Sequence, residues 1–387
     1  MNFALTFPSF NLYSMPLLIL VLQGYLFAVL LLWRYRKEKK LRDLLLAILL
    51  IITGYHRTSF IVGFMEWYDT FRNTKINYYL INFLLGLGPL IYFYVKSAIN
   101  PDFRFKKKDI WHFIPAAVYF IYCLVIWIYD SQQPGYDEVQ NGLWMESISI
   151  AYVFALHGYL SNLSMLLYII FTFILYYQFK DKVNQYYSNT YQKELKWLRN
   201  FLYVFTFTFA FGLVAEYIDF NITELHWTQR WWTHFVSACA LVYLGLYGYF
   251  TDLRGLENID DLRVEKPIDD PVSVISEPRY AKILDRMEEE KFYLDPDLTL
   301  GSLSQHIGIP AQELSSIING SMGKNFNDFI NEYRVKEVKN KIINGRATEL
   351  SLLGVAFESG FNSKATFNRT FKKFTSMSPS EYMKSII

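Results

Sequence analysis

The sequence predicts an all-α fold in two parts: a seven-helix transmembrane bundle over residues 1–250 and a helical, water-soluble domain over 279–387, with a linker between. Three observations carry this reading. Apolar residues make up 52% of the 387 and charged ones only 19%, against about 25% charged in an average soluble domain. The apolar excess lies almost wholly before Phe250, and the charges crowd in after it. From Arg279 onward the apolar residues come in short runs at helical spacing, not in unbroken stretches. One part is composed for lipid and the other for water.

Seven apolar runs approach the roughly 20 residues that a helix needs to cross a bilayer core. They lie at Met15–Trp33, Leu44–Phe64, Tyr78–Val95, Ile110–Tyr129, Gly158–Gln178, Phe201–Tyr217 and Trp231–Phe250. Charges or Trp and Tyr bound each run, as interfacial anchors should. The first run has its basic segment after it and none before it, so it is expected to be retained as a span and not removed as a leader.

Loop charges set the orientation. Arg34, Arg36, Lys37, Lys39, Lys40 and Arg42 follow the first span. Lys96, Arg104, Lys106, Lys107 and Lys108 follow the third, and Lys180, Lys182, Lys193, Lys196 and Arg199 follow the fifth. The alternate loops hold Arg72, Lys75 and Arg230, so the split is sixteen to three. An excess of Lys and Arg marks the cytoplasmic side. The N-terminus is therefore expected outside, in a bacterial inner membrane crossed several times, with everything after Phe250 in the cytoplasm.

Spans two and six run in opposite directions, so Arg57, Glu216 and Asp219 are expected at similar depth in the outer half, with His56, His157 and His234 near that level. Ionisable groups at such depth face a bundle interior and are usually paired. Two readings stay open: a sensor pocket for a small-molecule or envelope signal, or a structural ion pair, Arg57 with Glu216, beside helix-end residues. Gly86-Leu87-Gly88-Pro89 marks a kink in span three, static or hinged. Cys123 and Cys239 sit in apolar runs without a CxxC neighbour and read as small buried hydrophobes. Thr251–Pro278, rich in Asp and Pro, reads as a solvated linker reaching on the order of 30 Å.

In the C-terminal part, Thr299 can cap a short helix Leu300–Ile307 that ends at Gly308, and Pro310 opens the next, to about Asn319. A longer helix follows with Phe326, Phe329, Ile330, Tyr333, Val338 and Ile342 as its apolar stripe, and Arg334, Lys336, Lys339 and Lys341 placed elsewhere. The pattern then repeats. Leu352, Leu353, Val355 and Ala356 precede a turn at Gly360-Phe361-Asn362 and a helix Ser363–Phe374. Ser378-Pro379-Ser380-Glu381 is a capping box with proline at the first helical position.

The blocks Val355–Phe361, Phe367–Phe374 and Ser378–Tyr382 resemble the AraC/XylS family of transcriptional regulators, over about Arg279–Met383. The resemblance implies two helix-turn-helix units joined by one long helix, each placing its second helix in successive major grooves on one face of double-stranded DNA. Asn and Gln pair with adenine, and Arg or Lys with guanine. Gln312, Ser315 and Ser316 are thus candidate base readers in the first unit, and Lys364, Asn368 and Arg369 in the second. Lys324, Lys372 and Lys373 are candidates for phosphate contacts. The first recognition helix carries no Arg or Lys, which departs from many members of the family.

No HExxH, GxSxG or complete Walker loop occurs, and no metal site or cofactor is expected. The expected function is a membrane-bound one-component regulator in which the bundle senses and the C-terminal domain binds DNA, possible as a homodimer. The alternatives are a passive anchor activated by proteolytic release, and a transporter-like module coupled to the same domain.

Overall fold

The computed structural model describes residues 7–71, 73–75, 83–100, 102–189, 195–251 and 277–386. Among them every regular element is helical, with a single isolated bridge between Tyr187 and Thr299. The chain divides into two compact units, Met1–Tyr176 with Lys196–Arg254, and Tyr177–Leu195 with Gly255–Ile387. The division expected from the sequence left Tyr177–Leu195 with the bundle. The structure gives it to the second unit because Tyr186 packs on that unit's core and Ser188 is hydrogen-bonded to Leu298. Arg72, residues 78–82 of the expected third span and residues 252–276 of the expected linker lie outside the described residues.

The first unit is built from α1 (Ser14–Glu38), α2 (Leu41–Phe64), α3 (Leu84–Ile99), α4 (Ile114–Ser131), α5 (Phe154–Tyr186, second-unit residues from Tyr177), α6 (Leu195–Asn221) and α7 (Trp227–Phe250). Six described stretches are long and apolar enough to cross a membrane: Ser14–Glu38, Leu41–Phe64, Lys107–Ser131, Met145–Tyr186, Lys196–Asn221 and Trp227–Phe250. The third expected span is the shorter one among the described residues, where α3 has 16 residues. At 1.5 Å per residue it covers about 24 Å, less than a bilayer core of about 30 Å. It continues as a helix through Pro89.

The fifth span begins earlier than its hydropathy predicts, because a π-helix, Met145–Val153, leads into α5. Buried Asp130, at the end of α4, starts it: its carboxylate accepts the Trp144 and Met145 amides at 2.8 and 2.9 Å. A carboxylate at a helix N-terminus satisfies free N–H groups and opposes the helix dipole.

Apolar side chains cover the outside of this unit. Leu22, Leu26 and Val29 on α1 and Leu160, Leu163 and Leu167 on α5 are all exposed. Leaving such surface in water costs about 25 cal/mol per Å², so it belongs in an apolar medium. Glycines allow close packing inside. A methyl on Gly24 would come within 2.4 Å of Leu241, and one on Gly54 within 2.8 Å of Tyr25. Small residues serve this purpose where helices pack in lipid. Cys123 is buried, whereas Cys239 is exposed, because its side of α7 faces outward and not into the bundle.

Three of the basic loops meet at one end of this unit. Arg34 clamps Asp43 through two hydrogen bonds of 2.7 and 2.8 Å and donates to the last carbonyls of α7, Tyr249 at 2.5 Å and Gly248 at 3.2 Å. The Trp197 indole donates to the Tyr94 hydroxyl at 2.9 Å and stacks on Tyr247. Lys96 lies 3.8 Å from Asp109. The end where α7 finishes is therefore the basic end.

The second unit contains α8 (Glu277–Glu290), α9 (Leu300–Ile307), α10 (Ala311–Met322), α11 (Phe326–Ile343), α12 (Leu352–Glu358), α13 (Lys364–Thr375) and α14 (Pro379–Ile386). It has two apolar cores. Phe326, Phe329 and Ile330 of α11 complete the core under α9 and α10. Val335, Val338 and Ile342 of the same helix complete the one under α12 and α13. Side-chain caps set the helix starts: Thr299 Oγ1 accepts the Ser302 amide, Ser351 Oγ that of Gly354 and Ser363 Oγ that of Thr366. At the start of α14, the Glu381 carboxylate accepts the Ser378 amide at 2.7 Å and Ser378 Oγ accepts that of Glu381 at 3.3 Å.

Gly360 closes the turn between α12 and α13 with φ +89°, a conformation that disfavours side chains. An added methyl would also sit 2.3 Å from the Tyr293 carbonyl oxygen, which is backbone and cannot swing away. Gly360→Ala is expected to destabilise this unit by about 2–4 kcal/mol. Hydrogen exchange of the α12 and α13 amides checks this; unchanged protection would contradict it.

Candidate DNA-binding face and a cavity in the apolar unit

In α13, Thr366, Phe367, Thr370 and Phe371 are buried, and Lys364, Asn368, Arg369, Lys372 and Lys373 are all exposed. The i, i+4 spacing of 364, 368 and 372, and of 369 and 373, puts these groups on one face. Lys364, Arg369 and Lys372 form no close ion pair among the described residues, although Glu381 is near enough to Lys372 to feel its charge, so they are open to an anionic ligand. Lys373, expected on a phosphate, instead pairs with Asp328 at 2.6 Å. Lys324 likewise pairs with Glu332 at 2.5 Å. Each has an acidic group within reach of its flexible stem, so a phosphate would have to compete with it.

The corresponding face of α10 is neutral. Gln312 and Ser316 are exposed and Ser315 is half-buried. Ser316 Oγ donates to the Gln312 carbonyl at 3.0 Å, and the Asn319 amide donates to Ser315 Oγ at 3.3 Å. Both serine hydroxyls are engaged within their own helix, which leaves Gln312 as the most available polar reader there.

Arg334 departs most from expectation. Instead of facing water with the other basic residues of α11, it is 1% exposed. It lies four residues from both Ile330 and Val338, on the apolar stripe itself. Its Nε donates to the Tyr293 carbonyl at 2.8 Å, and Nη2 donates to the Asp295 carbonyl at 2.7 Å and to Ser188 Oγ at 3.0 Å. Burial pushes its guanidinium down to about 10, which leaves it charged at neutral pH. The Ser188 carbonyl accepts from Asn327 at 2.8 Å and from Asn331 at 3.3 Å. One face of α11 thus holds the Tyr187-Ser188 corner. Reading the C-terminal sequence alone missed this, because the corner lies more than a hundred residues away in the chain.

In the apolar unit, a cavity of about 390 Å³ is lined by His56, Arg57, Glu216, Asp219 and His234 together. His157 is not part of its wall; it stacks on Tyr119 with ring centroids 3.7 Å apart. The expected Arg57–Glu216 ion pair is not formed. Arg57 donates to Ser237 Oγ at 3.1 Å and meets His234 Nδ1 at 3.0 Å. Glu216 accepts from the Asn162 amide at 3.1 Å, and Asp219 pairs with Arg230 at 2.8 Å. Equal depth brings Arg57 and Glu216 to one cavity, but their rotations about α2 and α6 hand each to a different neighbour.

Residues 303–385 match the family model described as a helix-turn-helix domain. The second unit therefore carries a helix-turn-helix domain of the type found in transcriptional regulators. Over 110 residues, 28% of this chain, it is 30% identical to an "Uncharacterized HTH-type transcriptional regulator" of Staphylococcus aureus (strain COL). Over 90 residues, 23% of this chain, it is 29% identical to the melibiose operon regulatory protein of Escherichia coli (strain K12). The matched segments cover 14% and 29% of those two proteins. A solved structure of a Listeria innocua protein of unknown function is 28% identical over 29% of this chain and 98% of that chain, with a TM-score of 0.24. The chain thus combines six long apolar helices with a segment that matches a helix-turn-helix domain.

Proposed function

We propose that the chain is a multi-pass membrane regulator of transcription that senses and acts in one polypeptide. In this reading the six long apolar helices and the shorter α3 make seven crossings, and with the basic loops inside, the C-terminal unit lies in the cytoplasm of a bacterial cell. That unit binds double-stranded DNA through two helix-turn-helix units, α9–α10 and α12–α13, joined by α11. The observation that carries this reading is the exposed face of α13, where Lys364, Arg369 and Lys372 stand outside any close ion pair among the described residues, on a helix anchored by Phe367 and Phe371. Lys364, Asn368 and Arg369 read bases there, Lys372 meets phosphate, and Gln312 is the reader on α10. The spans supply the signal. Tyr187-Ser188, which follows α5 directly in the chain and is gripped by Asn327, Asn331 and Arg334, is the route by which movement of α5 reaches α11.

The test is to replace residues 1–176 with one unrelated span that starts outside, which keeps Tyr177–Leu195 with the second unit, and to follow transcription from a target promoter. Loss of signal response with retained promoter occupancy supports sensing by the bundle. A chimera that still responds would reduce the bundle to an anchor and sink the sensing reading.

A further inference from the structure

We propose that the cavity at Arg57 binds an organic monoanion, a carboxylate or a group of like shape and charge on a short apolar body. This rests on the sensing reading above and names the chemical class of its ligand. A guanidinium carries five N–H donors and no acceptor. Arg57 spends Nε on Ser237 Oγ and Nη1 on His234 Nδ1. Because Arg57 can only donate, His234 Nδ1 must be the acceptor, so the imidazole carries its proton on Nε2 and is neutral. Both protein partners of this cation are therefore uncharged. Nη2 has no protein partner, and no carboxylate pairs with Arg57 among the described residues.

The two acidic residues in the wall have partners other than Arg57, an arginine for Asp219 and a neutral amide for Glu216. Glu216 is held by Asn162, and Asp219 accepts from Arg230 and from the Leu225 amide at 2.7 Å. Arg57 thus has no counter-ion in contact with it, and Glu216, which shares the wall, is turned to Asn162. A charge in such surroundings is costly unless an opposite charge joins it. A carboxylate fits, because the planar guanidinium matches it with two parallel hydrogen bonds. The remainder of the wall selects the body. Phe60, Leu87, Met165, Phe205 and Phe209 are apolar, and the volume of about 390 Å³ suits a small molecule. Phe60 stacks on His234 at 3.8 Å between centroids, which holds the imidazole that orients Arg57. The arrangement is ready for an anion before one arrives.

Such an anion can come from the bilayer, as a fatty acid, or from water, as a soluble carboxylate. Octanoate and benzoate stand for the two sources, with octanamide and benzamide as uncharged controls for partitioning. The full-length protein in nanodiscs would be titrated with each while its thermal unfolding is followed. At least one acid is expected to raise the unfolding temperature saturably, and neither amide should. Response to octanoate alone assigns the bilayer source, and response to benzoate alone the aqueous one.

Arg57→Gln is expected to weaken binding at least tenfold, with Arg57→Lys in between. Leu87→Trp, which fills the cavity without touching the charge, should abolish binding and covers the case in which Arg57→Gln does not fold. No effect of either acid, equal effects of acid and amide, or full binding by Arg57→Gln would each overturn the proposal. Binding that leaves promoter occupancy unchanged would instead sink the sensing reading and leave the site standing.

Discussion

Arg334→Ala is expected to destabilise the C-terminal unit by about 3–5 kcal/mol, the scale seen when one member of a buried charged network is removed. The loss has three sources. Three hydrogen bonds to a charged donor of 3.0 Å or less disappear, to Tyr293, Asp295 and Ser188. Each is worth about 1.5–3 kcal/mol, less what solvent returns. The carbonyl left behind at Tyr293 belongs to a buried residue and must find water. A large side chain is also deleted from between the two cores. Arg334→Lys should recover little, since an ammonium cannot reach carbonyls on two sides and a hydroxyl with one planar fork. Hydrogen exchange in the full-length protein checks this: protection of α11 and of the 292–298 segment should fall together in both variants. Native protection in Arg334→Ala would show that the guanidinium is a passenger.

Arg369→Ala is expected to weaken binding to the cognate duplex by about 1–3 kcal/mol and to relax base preference at one position, as loss of a guanine contact does. Lys372→Ala should act differently. It should weaken all duplexes alike and reduce the salt slope by about 0.9, the share of one phosphate. The contrast follows from position. Both side chains are exposed on the same face of α13 and neither is in a close ion pair, so both are free to reach the duplex. Lys373→Ala should have a smaller effect than Lys372→Ala, because its ion pair with Asp328 already engages its charge. Affinity titrations at several salt concentrations separate the three variants. Equal slopes for all of them and wild type would refute the assignment of roles.

How much of this was legible in the sequence depended on how local each feature is. The capping box at Ser378–Glu381, the cap at Thr299 and the αL residue at Gly308 formed where the pattern placed them, because a cap needs only a few neighbouring residues. The helix expected at Ser363–Phe374 likewise formed as Lys364–Thr375. Long-range pairings were not legible. Arg334 sits on an apolar stripe, a signal that was present, but its partners come from distant turns. Arg57 and Glu216 share a depth that counting residues along a span can give. Their partners depend on rotation about each helix axis, which hydropathy does not encode. Asp130, which starts the π-helix before α5, gave no sign in a composition window, since one buried carboxylate hardly alters a hydropathy average.

The most direct test of the account is to reconstitute the full-length chain in nanodiscs and select binding duplexes from a random pool at near-physiological salt. The account predicts recovery of one shared motif containing two half-sites about 10 base pairs apart, the spacing of successive major grooves on one face. The half-site read by α13 should be the better defined, and Arg369→Ala should blur it at one position. Recovery of no common motif, or of one whose definition is untouched by Arg369→Ala, would contradict it.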